Sequence, residues 1–356
     1  MRIAIDIGPI DEKSSSSHKV RGVGKYITLL KDNLEKHDHK NSYIFSSAPE
    51  KVKDVDLIHY PYFDPFFITL PLVKKRASVV TVHDLIPLSH KKEFPVGLRG
   101  EMKWKLNKIL LNRVDGILTD SYASKEAIHT VTGISEKKIF SIHLAVDTDF
   151  KNSILSNMDR ETLVQKYNLP KTFLLYVGDV TWNKNLPNVV SAIKKIGIPI
   201  VMVGKAVSEE LFEFGSPWNK SRKIVLEETY GNPLFVKLGF VTTKDLVGIY
   251  NLAQALVMPS LDEGFGLPVL EAMQSGCPVI TSNCGSLGEV AGDAAIYVDP
   301  ENIDSIADGI RQVVGSRTLR EGLKAKGLEQ SGKFTLQRMI NDTVSVYQSI
   351  HNEKKS

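Results

Sequence analysis

The 356-residue sequence predicts an α/β protein built from two doubly wound, Rossmann-like parallel-sheet domains. Three observations predict it. The length exceeds the roughly 250–300 residues at which single hydrophobic cores stop growing. Its apolar runs are continuous and rich in branched residues, the pattern of strands buried on both faces rather than on one. Each run is followed by a turn and a stretch of helical period, which is the order of a parallel sheet with crossover helices.

In the first half the runs are IAIDIG, DLIHY, SVVTVHD, GILTDS and KIFSIHL; in the second they are FLLYVGD, PIVMVG, FVKLGF, ALVMPS, PVITSN and AAIYVD. Helical stretches such as KNLPNVVSAIKKIG and TKDLVGIYNLAQ separate them. The pattern stops at HLAVDTDFKNSILSNMDRETLVQ, which places a linker near residues 149–165. A first domain then covers residues 1–150 and a second covers 151–333. Residues 334–356 are expected to form a closing helix that returns to the first domain, followed by a disordered charged tail, NEKKS. The serines at 14–17 are expected in a polar loop.

Composition excludes several classes of function. With 42% hydrophobic and 24% charged residues, the chain has an ordinary globular balance. No apolar run approaches the ~18–20 residues needed to cross a bilayer. The opening MRIAIDIGPI reaches Asp6 too early for a signal-peptide core, so a cytoplasmic protein is expected. A formal charge of +4 is too small for a nucleic-acid-binding face, and no such partner is expected. The two cysteines, Cys277 and Cys284, are too few for a disulfide framework and are taken as small buried residues. No H-E-x-x-H occurs among the nine histidines, and His18, His37 and His39 lie in polar stretches, so no metal site is expected.

One segment departs from this average. Residues 91–113, KKEFPVGLRGEMKWKLNKILLNR, hold seven basic residues against Glu93 and Glu101. Leu98, Met102, Leu106, Ile109 and Leu110 fall at helical spacing, with Lys103, Trp104, Lys105 and Lys108 off that stripe. The segment is either a surface helix packed on its own domain or a basic amphipathic helix that attaches reversibly to anionic lipid.

In open α/β sheets, ligands bind beyond the carboxyl ends of the strands, so the strand-to-helix loops matter most. In RGVGKY, Gly22 and Gly24 flank Val23 before a helix expected to begin near Tyr26, and glycines there let backbone amides approach a ligand. A full dinucleotide fingerprint is missing because residue 27 is isoleucine, which disfavours a Rossmann dehydrogenase. His83 ends the strand SVVTV and either points into a crevice or pairs structurally with Asp84. Lys184, in GDVTWNKNL, is a compact cation beside a helix start, suited to phosphate oxygens or to solvent. In EGFGLPVLEAMQSGCPV, Gly264, Phe265, Gly266 and Leu267 offer amides, Pro268 suits a first helical turn, and Glu263 and Glu271 bracket them. That pair suggests a polyhydroxy ligand, with Glu271 accepting from two adjacent hydroxyls.

Taken in order along nearly the whole chain, RGVGKY, VVTVHDLIP, GILTDSYASKEAI, HLAVDTDF, YVGDVTWNKNL, the E-x7-E element and GSLGEVAGDAAIYVDP resemble the retaining family 4 glycosyltransferases of the GT-B fold. The forms are most similar to bacterial mannosyltransferases of polysaccharide and O-antigen assembly. The resemblance implies two Rossmann-like domains facing across a cleft that closes over the donor. It implies that Glu271 binds the ribose hydroxyls and Glu263 the donor sugar. The amides of Gly264, Phe265, Gly266 and Leu267 would serve the sugar and diphosphate, and Lys184 would neutralise the leaving diphosphate. His83 would touch the donor sugar, while Gly22, Val23 and Gly24 would lie against the diphosphate and acceptor. No cofactor or metal is implied. The donor expected first is GDP-mannose and second a UDP-sugar, and the acceptor is a glycan or lipid-linked hydroxyl. Relatives often carry a basic residue where this chain has Asp179 or Asn183, which throws more of the phosphate neutralisation onto Lys184 and the amides. Two other readings stay open: a non-catalytic nucleotide-sugar-binding or partner subunit of the same fold, and a sugar-nucleotide epimerase.

Overall fold

The computed structural model describes residues 1–11, 22–153, 155–208, 213 and 215–354. The serine run at 14–17, His18, Arg21 of RGVGKY and the last two residues of the tail lie outside the described residues. The chain divides into two compact units. Met1–Lys91, Val96–Ala145 and Phe334–Ser356 form the first; Lys92–Pro95 and Val146–Lys333 form the second.

The first unit holds strands β1 (Arg2–Asp6), β2 (Ser42–Ser46), β3 (Leu57–Tyr60), β4 (Ala77–Thr81), β5 (Gly116–Thr119) and β6 (Ile139–Ser141). They form a parallel six-stranded sheet in the order β2-β1-β3-β4-β5-β6. β3, β4 and β5 are buried along their whole length, as continuous apolar runs require. Strand β2, SYIFS, is the one the apolar pattern missed: it is an edge strand, mostly half-exposed, and needs no continuous run. The helix Leu336–Glu353 buries Met339, Ile340, Thr343, Tyr347 and Ile350 at helical spacing. It seats on β5, where a Cβ on Gly116 would stand 2.5 Å from Ile350 Cδ1.

The second unit holds β7 (Leu174–Val177), β8 (Ile200–Val203), β9 (Phe235–Leu238), β10 (Leu256–Met258), β11 (Val279–Thr281) and β12 (Ala295–Tyr297). Their order is β12-β11-β10-β7-β8-β9, again parallel. The chain builds β7, β8 and β9 in one direction and then returns to the other side of β7 with β10. That reversal is a topological switch point, the place in an open sheet where loops diverge and leave a crevice. The loops after β7 and β10 are GDVTWNKNL and SLDEGFGL.

Two expectations need correction. The segment read as a linker carries a helix, Asn157–Tyr167, whose Ser156 cap accepts from the Asp159 amide. Its buried residue, Leu163, fills the space above Gly248, where a Cβ would stand 2.4 Å from Leu163 Cδ1. A helix with so little apolar face leaves no periodic signal. The second correction concerns the basic helix, which spans Gly97–Arg113 but turns the unexpected face inward. Trp104, Asn107, Leu110 and Leu111 are buried, while Leu98, Met102 and Ile109 are 87%, 71% and 53% exposed. Asn107 Nδ2 donates to the carbonyls of Pro65 and Phe67 at 2.9 and 2.8 Å, tying the helix to a loop. Burying Trp104 removes the largest apolar surface on the helix, and Asn107 satisfies loop carbonyls that would otherwise be stranded. Two opposed apolar stripes compete here, and packing selects between them.

Candidate functional site

In the second unit the site is assembled from the loops at the switch point. Lys184 closes the short 3-10 turn Trp182–Lys184 after β7, and Asn185 then takes a left-handed conformation, φ 56°, to start the helix Leu186–Ile196. Lys184 Nζ donates to both carboxylate oxygens of Glu263 at 2.7 Å. Ser260 Oγ donates to Glu263 Oε1, also at 2.7 Å. Glu263 is buried, so its charge is compensated by these two groups, as a buried carboxylate requires.

The backbone around Glu263 is clamped from a third loop. Ser286 donates to the Glu263 carbonyl through its amide and through Oγ, at 3.2 and 2.9 Å. Gly285 has φ +57°, and a Cβ there would stand 2.7 Å from both the nitrogen and oxygen of Glu263. Asn183, one of the two departures from the family pattern, stitches the loops together. Its Nδ2 donates to the Asp262 carbonyl at 3.0 Å, its Oδ1 accepts from Thr181 Oγ1 at 2.7 Å, and its carbonyl accepts from the Leu261 amide at 2.7 Å.

Beyond Glu263 the chain turns into the helix Leu267–Gln274. Gly266 stands at its N-cap with φ 99°, and Pro268 lies in its first turn, where the absent N–H costs nothing. Phe265 is buried between Gly264 and Gly266, which carry no side chain. Glu271 is buried one turn inside, and Tyr250 OH donates to its Oε2 at 3.0 Å. Burial and the adjacent Glu271 push the Tyr250 phenol well above its ordinary range, so it remains a donor. Lys184, Glu263, the amide-bearing turn 264–267 and Glu271 therefore belong to one continuous loop cluster.

His83, Gly22, Val23 and Gly24 lie in the first unit. The helix expected near Tyr26 already spans Gly22–His37, so the three residues occupy its first turn, where amides have no intrahelical acceptor. Tyr26 sets its ring edge-on to His83 at 5.0 Å between centroids, which brings that turn and His83 to one sheet edge. The partner of His83 is Asp120 rather than Asp84: Nδ1 lies 2.8 Å from Asp120 Oδ2, while Asp84 Oδ1 accepts from the Ile86 amide. Burial opposes a charged His83, but Asp120 outweighs it and holds the imidazole above the ordinary histidine range.

Asp120, Tyr250 and Ser260 were not singled out from sequence. Asp120 had a signal, a carboxylate closing the apolar run GILT; Tyr250 and Ser260 had none. Among the described residues, no group of three His, Cys, Asp or Glu could hold a metal ion. Cys277 is buried and its thiol is pushed up to about 12 by burial, whereas Cys284 is only half-buried, short of the expectation for it.

Two parallel Rossmann-like sheets with a polar switch-point cluster in the second define the GT-B class of fold. Residues 159–330 match the family Glycosyl transferases group 1, and residues 44–150 match Glycosyltransferase Family 4. The O-antigen chain mannosyltransferase B of Escherichia coli is 30% identical over 82% of this chain and 75% of that protein. The serotype-specific mannosyltransferase WbdA of Escherichia coli is 30% identical over 76% of this chain but only 33% of its own length, so this chain spans about a third of that relative. Among solved structures, Anabaena HepE in complex with UDP and glucose superposes with a TM-score of 0.72 at 16% identity, covering 98% of this chain and 100% of that one. The chain belongs to the family 4 glycosyltransferases, with the group 1 domain in its second half.

Proposed function

We propose that this protein is a retaining, metal-independent hexosyltransferase that moves a hexose, mannose first, from a nucleotide-diphosphate sugar to a hydroxyl of a glycan or lipid-linked acceptor. The Lys184–Glu263 pair beside the amide-rich turn 264–267 carries this reading. Breaking a sugar–phosphate bond develops positive charge on the sugar and negative charge on the departing diphosphate. A cation with helix-start amides serves the second charge, and a carboxylate serves the first. Mannose is favoured by the names of the two Escherichia coli relatives, and GDP-mannose is the first donor; a UDP-sugar is second, in line with the HepE complex.

In this reading Lys184 neutralises the diphosphate and needs no cofactor beside it. Glu263 faces the sugar, Glu271 accepts from the ribose hydroxyls, and Gly264, Phe265, Gly266 and Leu267 supply amides. His83 and the turn Gly22, Val23 and Gly24 are ligand contacts of the first unit. The acceptor hydroxyl attacks on the face the phosphate leaves: the bond from anomeric carbon to phosphate oxygen breaks, the bond to the acceptor oxygen forms, and the acceptor proton passes to the leaving phosphate. The test is to follow GDP-mannose and UDP-glucose with and without a mannan-type acceptor, in EDTA, and to read the product's anomeric configuration by NMR. Binding without turnover would favour a non-catalytic subunit, and sugar conversion without acceptor an epimerase. An inverted product, or activity restored only by magnesium, would overturn the mechanism.

A peripheral place on an anionic membrane is also proposed, on the observation that the outward face of the helix Gly97–Arg113 is apolar. Leu98, Met102 and Ile109 are exposed there among the exposed cations Arg99 and Lys105. The adjoining loop exposes Phe67, Ile68, Leu72 and Val73, and Lys103 Nζ lies over the Phe67 ring at 4.8 Å. An apolar face ringed by cations suits an anionic bilayer surface. Among the described residues no helix is long and apolar enough to cross a membrane.

A further inference from the structure

The sheet register delivers Asp120 to His83. β4 and β5 are parallel, with Thr81 opposite Leu118. Two residues past each partner, at the carboxyl edge, stand His83 and Asp120, with Nδ1 2.8 Å from Oδ2. Asp120 is buried, and its backbone is held by the next residue: Ser121 caps the helix Tyr122–Thr132 by accepting from the Ser124 amide. Its carboxylate therefore has little freedom to leave.

The other side of the imidazole is fixed as well. Tyr26 meets the ring edge-on and its hydroxyl lies 3.1 Å from Thr81 Oγ1. Thr81 Oγ1 lies 2.8 Å from His59 Nε2, and His59 Nδ1 lies 2.6 Å from Tyr347 OH on the helix Leu336–Glu353. One ring atom is left over: His83 Nε2 is buried and makes no hydrogen bond of ordinary geometry, although the Pro61 carbonyl acts on the charged ring. A buried ring nitrogen kept without a well-formed hydrogen bond is an uncommon cost, and it is relieved when a ligand supplies the missing group.

We infer that Asp120 is a positioning residue for His83: by taking the Nδ1 proton in a hydrogen bond it fixes the tautomer and the ring plane, and so reserves Nε2 for a sugar hydroxyl. This rests on the proposed reading of His83 as a ligand contact. It is not a proton relay, because Asp120 orients the ring and transfers nothing.

The groups that face this pair come from every neighbouring element. Asp84 follows His83 in the chain, and the Pro61 carbonyl favours the charged imidazole. His59, on β3, is held neutral by burial, down to about 3. Tyr26 is pushed above its ordinary range by burial and stays a phenol. His143 acts on Asp120 from beyond β6 and, with His83, opposes the rise that burial imposes on Asp120. Asp120 is thus the carboxylate in direct contact with the ring.

The experiment is nitrogen NMR on the full chain labelled with 15N-histidine, His83→Gln identifying the signal. In the wild type the neutral ring should carry its proton on Nδ1 and titrate above the ordinary histidine value. In Asp120→Asn and Asp120→Ala the titration should fall by at least about one pH unit, a tenfold loss of proton affinity. Turnover should fall at least about tenfold with donor KM little changed, and the pH profile should move with the ring. A wild-type ring protonated on Nε2, or an unchanged titration in both variants, overturns the inference. The wild-type tautomer decides the matter even if neither variant folds. A protein that turns over no donor would sink the functional reading while the NMR still judged Asp120.

Discussion

Lys184 Nζ sits 2.7 Å from both oxygens of Glu263, a pair that joins the loop after β7 to the loop after β10. The two groups neutralise each other, and in the proposed function a bound diphosphate would draw Lys184 away. Removing one partner strands the other: Lys184→Ala leaves a buried carboxylate held by Ser260, and Glu263→Gln leaves a cation only 19% exposed. Each single change should cost about 3–5 kcal/mol at most, and the double variant less than the sum. Urea denaturation of the three variants measures this, and strict additivity would show that the pair is not coupled.

The same residues should separate in kinetics. On the proposed mechanism Glu263→Gln should lower turnover while nucleotide affinity stays near wild type, because the carboxylate would serve the positive charge that develops on the sugar. Lys184→Ala should damage both. Calorimetry with nucleotide and turnover at saturating donor decide it; loss of nucleotide binding in Glu263→Gln alone would reverse the assignment.

Glu271→Gln should weaken nucleotide binding about ten- to a hundredfold, the worth of hydrogen bonds to a charged group. Tyr250→Phe should act in the same direction but more weakly, since its hydroxyl only orients Glu271, donating to Oε2 at 3.0 Å. Equal dissociation constants for Glu271→Gln and wild type would remove Glu271 from the site.

The family resemblance leads one to expect a basic residue at Asn183, but its side-chain amide and its backbone carbonyl are used within the protein. Asn183→Lys should therefore lower Tm and leave donor affinity no better, because the new cation must leave a buried position and break the bond to Asp262. Tighter donor binding with an unchanged Tm would show that the loop tolerates the swap.

The outward stripe of the helix Gly97–Arg113 makes two faces distinguishable. Leu98→Asp with Met102→Asp should reduce binding to anionic vesicles with little change in Tm, since both side chains are exposed. Trp104→Ala should instead destabilise by about 3–5 kcal/mol through the cavity it leaves. Vesicle sedimentation and thermal denaturation report on the two effects; undiminished binding of the double aspartate variant would end the membrane reading.

Asp6 supplies a pH test. Burial raises its carboxyl from 3.8 to about 6, against the Gly8 amide that favours the charged form, with Glu50 adding to the rise. The folded state therefore binds more protons than the unfolded one between those values. Stability tied to this group is full below about 3.8, falls as pH rises through 6, and is lost above it. Asp6→Asn, which can still accept from the Gly8 amide, should stabilise by about 2–3 kcal/mol at pH 7 and by almost nothing at pH 3.5. Denaturant midpoints at the two pH values test it, and a gain that is the same at both would exclude titration of Asp6 as the cause.

The sequence by itself carried the class of fold, because a strand buried on both faces must be a continuous apolar run and eleven such runs followed by helical stretches leave little else to build. It also carried the candidate loops, since glycine, proline and charge at strand ends are local signals. The half-exposed strand β2 and the polar helix Asn157–Tyr167 gave no such signal. Tertiary structure alone decided which residues meet: Lys184 with Glu263 across 79 positions, His83 with Asp120 across 37, and Trp104 rather than Met102 against the core. The reason is that periodicity records a helix or a strand one turn at a time, whereas the choice of partner and of buried face is made by sheet order and packing between segments far apart in the chain.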